Sequence, residues 1–185
     1  MDTTKLFPVL ASVQEAKQRG DASRAAGRGG FPGADFGPTV TIILVIEDGE
    51  TLTWVDSVML EEIGRADPFD LAISNLRART TVPLRRQPIV PGQDAWFVGE
   101  NDGLDSGRLL LHDLWASLKA DLPGELLVRV VQRGVVLCCS NLASSVGLVD
   151  KVAEQIVEKG ALQGAAIVTP SWLIWTEHGW GEPEL

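Results

Sequence analysis

Residues 126–140 read LLVRVVQRGVVLCCS. β-Branched and aliphatic side chains fill both halves, and Gln132-Arg133-Gly134 breaks them with a tight-turn signal. The stretch is therefore expected to form a hairpin of two short strands. Alternation along a strand sends Cys138 and Cys139 to opposite faces and puts Arg129 on the face of Leu127 and Val131. If helices cover both faces, Arg129 has to be paired or lie near the rim. This hairpin is the expected structural centre of a sheet, with function at its periphery.

The segments around it carry their own signals. Before the hairpin, residues 108–122 place Leu111, Leu114, Trp115, Leu118 and Leu122 on one helical stripe, stopped by Pro123-Gly124. After it, Ser144 or Ser145 is expected to cap a helix that turns Val149, Val152, Ala153 and Ile156 inward and ends at Gly160. A strand is expected to begin near Ala165, a second to cover residues 172–175, and a short last one to open at Trp180 after a turn at Glu177-His178-Gly179.

Further upstream, TVTIILVI at residues 39–46 is the most apolar strand candidate. Asp48-Gly49 turns it into a partner at residues 51–55. A short helix at residues 58–63 ends at Gly64, and Asp67-Pro68 opens a helix to Arg79 that buries Phe69, Ala72, Ile73 and Leu76. A short strand at residues 95–98 contains Trp96. Residues 4–18 carry Leu6, Val9, Leu10 and Val13 at helical spacing. The expected organisation is an N-terminal helix at 1–18, a Gly/Ala/Arg-rich linker or loop at 19–38 that Phe31 and Phe36 clip down, and one α+β domain at 39–185. Its sheet is mainly antiparallel, with about three to four packed helices.

Composition sets the outer limits. A chain of 185 residues buries roughly 70% of its unfolded surface and needs no disulfide or metal staple. The formal net charge of −9 argues against a nucleic-acid footprint, which needs a basic stripe. No apolar run approaches the roughly 20 residues of a membrane span, and the first 20 residues lack the charge-then-apolar order of a secretory leader. A cytoplasmic location is expected. Two adjacent cysteines and two distant histidines make no metal framework, and no cofactor is expected.

Motifs for chemistry are sparse. The glycines of residues 27–33 have no Walker lysine after them and no strand feeding them, so the phosphate-loop patterns fail. Glu61, Glu62, Asp67 and Asp70 do not match a calcium loop. Arg77, Arg79, Arg85 and Arg86 form the one basic concentration, a candidate anion or acidic-partner site. Trp172, Trp175 and Trp180 could form an aromatic contact patch. His112-Asp113 is the one imidazole–carboxylate neighbour pair, but no nucleophile elbow accompanies it, and no catalytic residues are assigned.

The order of pieces resembles the YtpQ-like bacterial family, domain of unknown function 1444. The resemblance runs through LEEIGRADPFDLAISNLRART with Ala72, Asn75 and Leu76, then the Trp96 strand, the GRLLLHDLW helix, the hairpin with Arg133 at its turn, and the closing WLIWTEHGW. It covers roughly residues 40–180. It implies an intracellular α+β protein and carries over no catalytic residues.

The expected function is a non-enzymatic interaction module: an adaptor, an immunity-type protein or an oligomer component. It would bind another protein or itself through an exposed sheet edge or the Trp-containing C-terminal hairpin, with binding residues among Arg79, Arg85, Arg86, Trp172, Trp175 and Trp180. The competing expectation is a small hydrolase or ligand-binding enzyme using His112, Asp113 and the arginine-rich loop around Arg85.

Overall fold

The structure is a computed structural model that describes residues 2–64, 67–162, 167–169 and 171–183. The chain divides into two compact units, Met1–Arg79 and Thr80–Leu185. The boundary falls inside the stretch expected to form one domain at 39–185. Each unit pairs antiparallel strands with packed helices, an α+β fold.

In the first unit, β1 (Leu6–Ser12) pairs with β3 (Val40–Asp48) from Leu6↔Ile46 to Ser12↔Val40. On the other side of β3, β2 (Gly33–Asp35) takes the Thr41–Ile43 end, and β4 (Thr51–Trp54) takes the Val45–Asp48 end. The β3–β4 turn is the Asp-Gly turn of the sequence, with Gly49 at φ 62°. Helix α1 is Val13–Ala25, α2 is Ser57–Ile63 and α3 is Pro68–Arg79. Leu6, Leu44, Ile46 and Val55 pack with Ala72 of α3 in one core cluster, flanked by Met59, Leu60 and Phe69.

The expected helix at the N-terminus is a strand followed by a helix. Leu6 through Ala11 are all buried, so the apolar run is continuous, as in a strand covered on both faces. The helical spacing of Leu6, Val9 and Leu10 is a by-product of that run. Helix α1 starts instead where Ser12 Oγ accepts the Glu15 N–H at 3.1 Å, a Ser-x-x-Glu start signal. The expected linker at 19–38 thus contains the end of α1 and all of β2. β2 is held by backbone pairing, which leaves no mark in side-chain composition. Phe31 packs edge-on against Trp54 at 5.1 Å and fastens this segment, as expected.

In the second unit, six antiparallel strands run in the order β10-β9-β7-β8-β6-β5. They are β5 (Arg86–Pro88), β6 (Ala95–Val98), β7 (Leu126–Gln132), β8 (Val135–Ser140), β9 (Trp172–Thr176) and β10 (Gly179–Gly181). The 126–140 hairpin holds the two central places. Helix α5 (Ala143–Leu162) lays Val149 and Ala153 on Ala95, Leu127, Leu137, Cys139 and Trp172. Ile174 shares that face, so Trp175 and Trp180 project from the other one, where they meet α4 (His112–Ala120). Both cysteines are fully buried, on opposite faces. Arg129 is paired, with Asp150 of α5, and lies 5.8 Å from the Trp172 ring.

Two helix boundaries differ from expectation. Residues 105–110 form a 3-10 turn, and α4 begins only at His112 after the non-helical Leu111. Ion pairs of the buried Arg108, described below, hold that turn. Helix α5 starts at Ala143 and runs through Gly160 to Leu162. The strand expected near Ala165 begins outside the described residues. Ile167–Thr169 is not a strand, although Val168 and Thr169 donate N–H bonds to the carbonyls of Val131 and Val130. Among the described residues there are five α-helices: α1, and four within residues 39–185, where about three to four packed helices are expected. None is long and apolar enough to cross a membrane.

Candidate functional site

The arginines that the sequence groups together are distributed over the two units, and each carries a partner. Arg79, at the end of α3, pairs with Glu47 at 2.6 Å and covers the Phe7 ring. Arg85 pairs with Glu100 at 3.1 Å, and Arg86 pairs with Asp121 at 2.9 Å while lying 5.5 Å from the Trp96 ring. Arg85 and Arg86 stand at the end of the six-stranded sheet where β5, β6 and β8 leave a cleft of about 810 Å³. Leu84, Phe97, Val98 and Val136 supply its apolar wall. The cleft is large enough for a small ligand, and no hydroxyl or thiol nucleophile and no imidazole is found on its wall among the described residues.

Beside the cleft lies the best-buried charge cluster of the unit. Arg108 is 1% exposed and holds Asp102 through two parallel bonds of 2.8 Å, and Asp105 through a third of 2.6 Å. Asp105 also accepts the N–H groups of Glu100 at 2.7 Å and Asn101 at 3.1 Å. Burial works against the Arg108 cation, but the bonds and charge of Asp102, with Asp105, outweigh it and raise its pKa above the ordinary arginine value. Gly99, at φ 133°, gives the Asp105 carboxylate room: a Cβ there would clash with it. The cluster fixes the 99–108 loop. Both Nη groups of Arg108 are taken up by Asp102 and Asp105, while its buried Nε has no hydrogen-bond partner among the described residues. The ion pairing is that of a structural network rather than of an open acid–base site.

His112 and the tryptophans form a second assembly. The imidazole stacks on Trp175 with centroids 5.0 Å apart and planes 12° from parallel, and Trp180 meets it edge-on at 6.2 Å. Trp180 also stands edge-on to the buried Trp115 at 5.3 Å. The indole N–H of Trp180 donates to the Leu109 carbonyl at 2.9 Å, and that of Trp175 to the His112 carbonyl at 3.4 Å. His112 Nε2 is buried with no hydrogen-bond partner among the described residues, so it is not aimed at a hydroxyl or thiol. Asp113 is exposed, and neither it nor His112 lines the cleft of Arg85 and Arg86. The cysteines are not nucleophiles in waiting: burial pushes the Cys139 thiol up to about 12 and Cys138 further still. Among the described residues no group of three or more metal-ligating side chains is found.

The three tryptophans expected to form one exposed patch therefore separate. Trp172 is buried on the α5 face, while Trp175 and Trp180 are half-buried on the opposite face. They anchor the β9–β10 hairpin to α4.

The two ends of the sheet differ. Along β5, bonds from Gly99 N–H to the Arg85 carbonyl and from Ile89 N–H to the Ala95 carbonyl show that odd-numbered residues pair inward. Arg86 and Pro88 face outward, and proline has no N–H to offer. Along β10, the two-residue turn at Glu177-His178 makes Thr176 and Gly179 the closing pair. Trp180 is then the residue whose backbone N–H and C=O turn away from β9. Gly179 and Gly181 flank it and add no side chain of their own on the α5 face, where Ile174 reaches over Gly181. The Gly-Trp-Gly triplet is the sequence signal for this bare edge, and composition and motif reading pass over it.

No family model matches the chain, and no solved structure matches it. Similar proteins include a UPF0354 protein of Bacillus thuringiensis (strain Al Hakam) and one of Bacillus cereus (strain 03BB102), each 23% identical over 181 residues, 98% of this chain and 63% of the relative. A UPF0354 protein of Bacillus cereus (strain AH187) is 23% identical over 179 residues, 97% of this chain and 63% of the relative. The chain is thus similar along nearly its whole length to bacterial UPF0354 proteins, and it spans less than two thirds of theirs.

Proposed function

We propose that this chain is a protein-interaction module that binds by adding an extended segment of a partner to the β10 edge. The observation that carries the reading is the state of Trp180: its indole is anchored to Leu109, Trp115 and His112, while the register turns its backbone donor and acceptor outward. Strand addition needs an edge that is both open and held in place. The opposite edge offers less, because Pro88 removes one outward donor. The exposed sheet edge and the Trp-containing hairpin, separate candidates in the sequence, coincide here. The partner is another protein or a second copy of the chain, met in the cytoplasm. The motifs from Leu60 to Trp180 support reading the chain as YtpQ-like.

A three-residue strand limits the strength. Two or three backbone bonds at about 0.5–1.5 kcal/mol each give a weak, exchanging complex unless side chains add to it. The short strand, with Glu177 and Glu182 near its ends, also restrains indiscriminate edge-to-edge aggregation.

The test is photo-crosslinking in the native host, with the reactive group at Glu182 beside the edge and, as control, at Glu154 on the exposed side of α5. The reading expects a discrete crosslinked species from Glu182 and none from Glu154. No species from Glu182, or the same species from both positions, would count against it.

A further inference from the structure

The first unit contains a second opening, a groove of about 430 Å³ lined by Arg19, Ser23, Arg28, Phe31, Trp54 and Asp56. Its two arginines are held alike. Arg19 donates through Nε to Glu15 at 2.9 Å, and Arg28 donates through Nε to Asp56 at 2.6 Å. In both pairs the acid lies beneath the base: the carboxylate side chains are 11% and 4% exposed, the arginines 50% and 59%. Asp56 is fixed further because it caps α2, accepting the Met59 N–H at 2.9 Å. Arg19 is fixed further because its guanidinium lies 4.8 Å from the Trp54 ring.

Exposed arginine pairs add little to stability, so the main consequence of this arrangement is orientation. A guanidinium has five N–H groups, and one of them, on Nε, makes the carboxylate bond in each pair. The two Nη groups of each arginine form the planar fork that matches the oxygens of phosphate and carboxylate. With both Nε bonds made, the side chains are positioned before a ligand arrives, which lowers the ordering cost of binding. Phe31 and Leu52 give the groove an apolar wall.

We propose that this groove binds an oxyanion, phosphate or carboxylate, carried on a flat apolar body, with the Nη forks of Arg19 and Arg28 on the anion and Phe31 and Leu52 against the body. This site is independent of the β10 edge.

Calorimetric titration of the full chain tests it, with phenyl phosphate, benzoate, inorganic phosphate and phenol as probes and with Arg19→Lys and Arg28→Lys as variants. Lysine keeps the charge beside Glu15 or Asp56 and removes the fork. The expected result is saturable binding of phenyl phosphate, benzoate or both, tighter than inorganic phosphate. Each lysine variant should weaken it about tenfold while leaving the unfolding midpoint in place. The relative strength of the two aryl probes identifies the anion. Failure of both aryl oxyanions to saturate overturns the proposal. So does phenol binding equal to phenyl phosphate, inorganic phosphate binding equal to the better aryl probe, or binding unchanged in both variants. If one variant does not fold, the other decides.

Discussion

Trp180 and Leu109 are joined by a single hydrogen bond, indole Nε1–H to backbone carbonyl, 2.9 Å long and 71 residues apart in sequence. It ties the outermost strand of the sheet to the turn that precedes α4. Trp180→Phe keeps most of the aromatic contact with Trp115 and removes the donor. Urea unfolding should show a loss of about 1–2 kcal/mol, the usual cost of a carbonyl deprived of its partner.

Outward backbone groups should exchange with solvent, and inward ones should not. Hydrogen exchange of the free protein is expected to be fast at the Trp180 amide and slower at Gly179 and Gly181, which face β9. Equal protection at all three amides would mean that the Trp180 edge is already covered.

Gly99 sits at φ 133° with the Asp105 carboxylate where a side chain would begin. Gly99→Ala combines backbone strain with displacement of a carboxylate that holds Arg108 and two backbone N–H groups. Urea unfolding should show a loss of about 3 kcal/mol or more.

The thiols should be silent in the folded protein. Burial disfavours both thiolates, so iodoacetamide at mildly alkaline pH should modify neither Cys138 nor Cys139 until denaturant unfolds the second unit. Modification at the rate of a free peptide thiol would contradict the packing of the central hairpin.

Asp56 gives the first unit a defined acid response. Burial pushes its carboxyl up, but the Met59 N–H and the Arg28 guanidinium outweigh burial and hold it below the ordinary value of 3.8. A lowered carboxyl adds stability above that ordinary value and loses it as pH falls through the folded one. Asp56→Asn keeps the cap and drops the charge. It should cost about 1 kcal/mol at neutral pH, and urea midpoints should show the gap from wild type closing under acid.

Much of this architecture could be read from the chain. The 126–140 hairpin, the Asp48-Gly49 turn and the Asp67-Pro68 helix start each combine a side-chain pattern with a turn or cap residue, and each forms as expected. The errors share a physical origin. Leu6–Ser12 was ambiguous because a strand buried on both faces loses its alternation. Arg108 read as part of an ordinary helix because its pairing with Asp102 and Asp105 is a matter of three-dimensional geometry. The arginines of residues 77–86 looked like a patch, since sequence proximity does not reveal Glu47, Glu100 and Asp121 across from Arg79, Arg85 and Arg86. The Gly-Trp-Gly edge was the hardest to see, because its distinguishing property belongs to the backbone.

The edge itself is tested most directly by taking away an outward donor without disturbing the paired register. Glu182 directly follows β10 and is exposed. With the register continued one step its N–H would be the next outward donor, and Glu182→Pro removes it. The complex recovered from the native host should be quantified for wild type and variant at matched expression. The account predicts that recovery falls about tenfold or more, as expected when an edge donor is lost from a weak strand-addition interface, while the urea midpoint of the isolated protein stays unchanged. Equal recovery of the complex with Glu182→Pro, or a wild-type chain that recovers no partner and does not self-associate, would contradict it.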